Sequence, residues 1–172
     1  MAAQWFPGEG RNADDETFLS RLRTRARKEG LVDVSPEETA VLVSSTGYSD
    51  LVISVRPPGL PVTGPAPVLQ AGYTDDDGHL YLLGGWETFG FVLDPPTFFE
   101  PAPPAATPAD LADSAFDWLA EQLRRPVRQL EFPALVGGVQ VRWQFADTSE
   151  ELCRLGAWPR RRRLASWEER VR

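Results

Sequence analysis

A chain of 172 residues, 42% of them hydrophobic, is long enough to close one core, and disorder throughout is not expected. One histidine (His79), one cysteine (Cys153) and one lysine (Lys28) stand against seventeen arginines and six tryptophans. That leaves little for general-base, nucleophilic or metal-ligating chemistry, which needs groups whose proton affinity can be tuned to the working pH.

The lone cysteine excludes an intramolecular disulfide and a cysteine cluster for zinc, and no run approaches the about eighteen apolar residues of a membrane-spanning helix. The formal charge of −7 conceals a division along the chain. Between Gly30 and Leu123 fourteen acidic residues face a single basic one, Arg56, whereas from Leu152 to Arg172 seven arginines stand against Glu168 and Glu169. Arg21, Arg23, Arg25, Arg27 and Lys28 form a second basic cluster. Either the basic segments neutralise the acidic middle in the fold, or the middle keeps an acidic face for a basic partner. The opening residues, Met1 to Pro7, lack the basic and apolar blocks of a signal peptide, so a cytoplasmic protein is expected. One lysine beside seventeen arginines, with abundant Ala, Pro and Gly, resembles the codon bias of a GC-rich bacterial genome, so a bacterial source is expected.

Residues 14–29 read as the first helix. Asp14, Asp15 and Glu16 in its opening turn and Arg27 and Lys28 in its last complement the helix dipole, and Gly30 suits a left-handed cap. Its apolar face is thin, with Phe18, Leu22 and Ala26 at spacing four and Leu19 beside them, which places it on a surface. Thr39 to Ser44 and Leu51 to Val55, separated by a turn-forming segment, predict a β-hairpin. A proline-rich stretch from Pro57 to Pro67 is expected to run extended over the surface.

The Asp75, Asp76, Asp77, Gly78 cluster then marks a tight turn, and the run from His79 onward reads as a buried strand. A second proline-rich stretch, from Pro95 to Pro108, separates this β section from the rest. The two stretches hold eleven of the sixteen prolines and are the natural boundaries of lobes at 1–94 and 108–150.

Thr107, Pro108 and Asp110 set up the second helix with an N-cap, a proline at the first helical position and an acidic residue at the capping-box position. Leu111, Ala115, Trp118, Leu119 and Leu123 recur on one face, and Pro126 stops the helix. After it Arg128, Leu130 and Phe132 alternate, Gly137 and Gly138 turn the chain, and Val139, Val141, Trp143 and Phe145 alternate again, predicting a hairpin with one apolar face. The tail 152–172 is polar and basic, and no element is assigned to it.

The acidic turn invites a calcium reading, but the EF-hand spacing fails: with Asp77 and Gly78 in register, Tyr73 falls at the first ligand position and Gly84 at the terminal glutamate. Paired carboxylates for a glycosidase-like reaction carry no signal in a chain with 25 acidic residues. His79 and Cys153 are far apart and lack any motif. Gly84 with Gly85, and Gly137 with Gly138, lack phosphate-binding spacing. Trp86, Trp118 and Trp143 fall at core-facing positions, whereas Trp5, Trp158 and Trp167 lie in polar surroundings that suit partner anchors. The Arg160 to Arg163 run between Trp158 and Trp167 is the best feature for nucleic acid, and the acidic total opposes it.

The expectation is one α+β domain, mostly antiparallel, with two principal helices and the helix from Pro108 packed on a sheet. No catalytic residue, metal or cofactor is assigned. The expected function is a non-enzymatic, protein-binding module of inhibitor or immunity type that offers its acidic section to a basic partner. Its candidate partner-binding residues are Asp75, Asp76, Asp77, Trp158, Arg160, Arg161, Arg162, Arg163 and Trp167. The alternative is a regulatory or small-ligand-binding domain with a Trp-lined pocket, ahead of nucleic-acid binding through the Arg-rich tail. No membrane partner is expected, and self-association is left open.

Overall fold

The computed structural model describes residues 3–43, 51–60, 66–87, 98–133, 139–158 and 169–171. Its first helix, α1 (Ala13–Glu29), starts at Asn12, whose side chain accepts from the Asp15 backbone N–H at 2.8 Å. It ends at Gly30, which adopts a φ of 72°. The thin apolar stripe is fully buried at Phe18, Leu19 and Leu22, while the rest of the helix meets solvent, as an amphipathic surface helix should. α2 (Pro108–Arg124) carries the expected capping box: Thr107 Oγ1 accepts from the Asp110 N–H, and Asp110 Oδ2 accepts from the Thr107 N–H at 2.8 Å.

Two antiparallel sheets accompany the helices among the described residues. The first has the order β1 (Thr39–Val43), β2 (Leu51–Val55), β3 (Val68–Asp76), β4 (His79–Glu87), β5 (Phe98–Pro101). The second has the order β8 (Glu151–Trp158), β7 (Val139–Phe145), β6 (Val127–Pro133), β9 (Glu169–Val171). The expected α+β class, with antiparallel strands and two helices, is thus the observed one.

The hairpin of β1 and β2 forms as the sequence predicts, with Thr39 opposite Val55 and Val43 opposite Leu51. Its turn, 44–50, lies outside the described residues. Asp77 and Gly78, with φ of 51° and 83°, close the two-residue turn between β3 and β4. Positive φ at both central positions matches the right-handed twist of the strands.

Leu51, Ile53, Val55, Leu69, Ala71 and Tyr73 share one face of the first sheet and are buried against the helices. α1 and α2 pack on each other and on this face. One contiguous core joins Phe6 to α1, the first sheet, α2, and Val127, Trp143 and Phe145 of the second sheet. The rings of Trp86 from β4 and Phe145 meet nearly at right angles, their centres 6.0 Å apart.

Several expectations are corrected. Pro57 and Leu60, expected to run over the surface, are buried. The second proline-rich stretch contributes β5, an edge strand on β4, where a proline costs no ladder hydrogen bond in the sheet interior. Trp118 is only half-buried, and Ala112 and Phe116 join the buried face of α2 in its place. The Trp118 indole instead lies over Gly84, where a Cβ would stand 2.7 Å from it. Trp5 is half-buried against the core beside Phe6 rather than free in polar surroundings.

In β6 the alternation is inverted: Val127, Gln129 and Glu131 face inward, and Leu130 and Phe132 lie half-buried on the other side. The register explains it, because Val127, Gln129 and Glu131 oppose Phe145, Trp143 and Val141. Directly opposed residues share a face, so packing Phe145 and Trp143 inward carries the two polar residues in with them. The tail to which no element was assigned supplies β8 and β9, the two edges of the second sheet.

Part of the charge division is resolved inside the fold. Arg21 Nη2 meets Asp113 at 2.8 Å, and Arg25 Nη2 meets Asp117 at 2.8 Å and Glu29 at 3.0 Å. Arg25 also lies 4.3 Å from the Phe116 ring centre. The basic stripe of α1 therefore docks on the acidic face of α2. Arg25→Ala is expected to cost about 1 kcal/mol in urea denaturation, with the difference shrinking as salt is added.

Candidate functional site

The first turn of α1 and the β3–β4 turn meet in a cleft of about 470 Å³, lined by Arg11, Asn12, Asp14, Asp15, Tyr73, Asp75, Asp77, Gly78 and Leu80. Its floor is a buried polar knot. Asp15 sits at helix position three, 1% exposed. Its Oδ1 accepts from the Tyr73 hydroxyl at 2.8 Å, and its Oδ2 accepts from Arg11 Nε at 3.0 Å and from the Arg11 backbone N–H at 2.9 Å. Tyr73 is fixed in turn by packing on Phe18, with ring centres 5.1 Å apart.

Burial alone pushes the Asp15 carboxyl upward, but the hydrogen bonds from Arg11 and Tyr73 together outweigh it and hold the group below its ordinary value. Burial, and then the hydrogen bond to Asp15, push the Tyr73 phenol well above its ordinary value. These shifts belong to a satisfied structural network. A proton-transfer role would need a group poised near neutral pH.

The rim is different. Asp14, Asp75, Asp76 and Asp77 are all exposed. Asp75 and Asp77 line the cleft, whereas Asp76 does not. Asp75 Oδ1 accepts from the Gly78 N–H at 2.7 Å, which locks the turn. Asp14, Asp76 and Asp77 make no ion pair among the described residues. Four carboxylates and one guanidinium therefore share the cleft. Among the described residues no group of three or more His, Cys, Asp or Glu side chains is set to hold a metal ion, and no helix is long and apolar enough to cross a membrane.

The other candidates do not join this site. Trp158 ends β8, its backbone opposite Val139, while Arg160, Arg161, Arg162, Arg163 and Trp167 lie outside the described residues. His79 opens β4 in the first sheet and Cys153 belongs to β8 in the second.

Asp14 and Asp15 were read from the sequence only as dipole partners, and the knot beneath the rim was missed. The signal was present, since Asp15, Phe18, Leu19, Leu22 and Ala26 recur at helical period, which puts Asp15 on the buried face. Its partner Tyr73 lies 58 residues away and carries no local mark. Comparison of the chain with protein-family models, with curated proteins and with solved structures returns no match.

Proposed function

We propose that this protein is a non-enzymatic bacterial protein-binding module of the cytoplasm, which engages a basic partner protein through the rim of Asp14, Asp75, Asp76 and Asp77, in the manner of an inhibitor or immunity protein. The observation that carries the reading is the contrast between two acidic surfaces. Asp113 and Asp117 on α2 are neutralised by arginines of α1, whereas Asp14, Asp76 and Asp77 have no such counter-charge among the described residues. The rim is also held in shape: the Asp77–Gly78 turn is closed by Asp75, and Asp14 stands on a helix anchored through Asp15. Exposed carboxylates on a rigid support raise the encounter rate with a cationic surface and disfavour acidic partners. The scarcity of tunable catalytic side chains agrees with a binding role.

The test compares tagged wild type with the Asp75→Asn, Asp76→Asn, Asp77→Asn triple variant in affinity capture from nuclease-treated lysate. Asparagine keeps an oxygen for the Gly78 N–H, so the thermal midpoint of the free variant should correspond to a stability change within about 0.5 kcal/mol. A stoichiometric basic protein held by wild type, released by added salt and lost from the variant, is the expected result. Equal retention by the variant would remove the rim from the interface.

A further inference from the structure

We propose that the inner face of the second sheet binds a small amine carrying a neighbouring hydroxyl or carbonyl group, on Glu131, Gln129 and Trp143. This site lies on the second sheet, whereas the acidic cleft belongs to the first, so it stands independently of the function proposed above. Gln129 and Glu131 are 7% and 8% exposed, and both point inward from β6. Gln129 Nε2 donates to Glu131 Oε1 at 2.5 Å. The remaining oxygens, Gln129 Oε1 and Glu131 Oε2, are buried without a hydrogen-bond partner. Trp143 stands directly opposite Gln129 on β7, 3% exposed, and its indole N–H is likewise without a partner.

Two adjacent acceptors and one donor are thus presented on neighbouring positions of one sheet face, where opposed residues lie about 5 Å apart. The charge balance selects a cation. A carboxylate removed from water is strongly unfavourable unless it meets an opposite charge; among the described side chains no cation meets Glu131, and in the backbone register Arg170 of β9 stands opposite Gln129, two residues from Glu131. Arg142, the neighbour of Trp143, lies on the opposite face, 5.1 Å from the Phe132 ring centre and 3.9 Å from Glu151.

An ammonium group offers three N–H donors and no acceptor, which suits the two free oxygens. The Trp143 N–H requires an acceptor on the same ligand, which a hydroxyl or carbonyl supplies.

The probes are 2-aminoethanol, ethylammonium, which lacks the acceptor, and ethylene glycol, which lacks the charge. Each is titrated at millimolar concentration and constant pH into the full chain. The readout is the Trp143 indole N–H resonance, assigned by its loss in Trp143→Phe. A saturable shift with 2-aminoethanol, weaker with ethylammonium and missing with ethylene glycol, is expected. Glu131→Gln, nearly identical in shape, should weaken 2-aminoethanol by roughly 30-fold or more.

An unmoved resonance would overturn the site, as it would if the carboxylate were already neutralised within the chain or met only by water. A response to ethylene glycol as strong as to the amines, or unchanged affinity in Glu131→Gln, would overturn it equally. If Glu131→Gln fails to fold, the three probes on wild type still decide whether charge is required.

Discussion

Gly72→Ala is expected to destabilise the protein by about 4 kcal/mol, in the range reserved for a direct clash in the core. Gly72 lies in the middle of β3, opposite Val52 of β2. A Cβ there would stand 2.0 Å from the Leu51 carbonyl oxygen and 3.0 Å from both Leu51 C and Val52 Cα. Backbone atoms of a paired strand cannot move aside without opening the ladder, so the methyl group separates β2 from β3 or bends the sheet. Chemical denaturation of the purified variant measures the loss. A cost under about 1 kcal/mol, the ordinary effect of a point substitution, would show that the two strands do not approach in this register. Gly84→Ala, which meets the far end of the Trp118 indole, should be milder, because a side chain can shift where backbone cannot.

Asp15→Ala is the second large effect, expected at about 3 kcal/mol near neutral pH. The substitution leaves the buried Tyr73 hydroxyl without its acceptor and removes two charge-assisted hydrogen bonds from Arg11. Tyr73→Phe should cost about 1.5 kcal/mol, and the double variant less than the sum, because both remove the same bond.

The pH dependence has a defined sign. The Asp15 carboxyl is held below its ordinary 3.8 in the folded chain, so its contribution is complete above that value and is lost as pH falls through the folded-state value. The gap between wild type and Asp15→Asn should therefore narrow on acidification. Tyr73 behaves in the opposite sense. Its phenol is raised above its ordinary 10.0, so its contribution is complete below pH 10.0 and is lost as pH rises through the folded-state value. Denaturation curves of wild type and Asp15→Asn across this range measure both edges. A gap that stays constant into acid would show that the carboxylate is not held by Arg11 and Tyr73.

The candidate cleft was half legible. Asp75, Asp76 and Asp77 stand out because an acidic turn ending in glycine is a local pattern, and its two-residue geometry follows from positive φ at Asp77 and Gly78. That Asp14 and Arg11 lie across from that turn follows only from α1 packing on β3 through Phe18 and Tyr73. The site proposed on the second sheet was not legible at all. Gln129 and Glu131 carry the polar pattern of a solvent face, and only pairing with Trp143 and Val141 turns them inward.

What the sequence by itself determined is what short-range chemistry controls. The start of α2 follows from Thr107, Pro108 and Asp110 and the end of α1 from Gly30, the hairpin of β1 and β2 from two β-branched runs, and the amphipathic face of β7 from strict alternation. Each depends on a pattern that can be read within a short stretch of chain.

Only the tertiary structure decided which proline-rich and basic segments become strands, which face of β6 is buried, and which acidic residues find arginines. β5, β8 and β9 are edge strands, formed because an open neighbour offers unpaired backbone groups. Their residue composition gives no sign of it. The pairing of Asp113 and Asp117 with Arg21 and Arg25 spans about 90 residues, whereas Asp76 and Asp77 of the β3–β4 turn make no ion pair among the described residues. Charge and strand parity are settled by partners distant in sequence, and a local pattern holds no record of them.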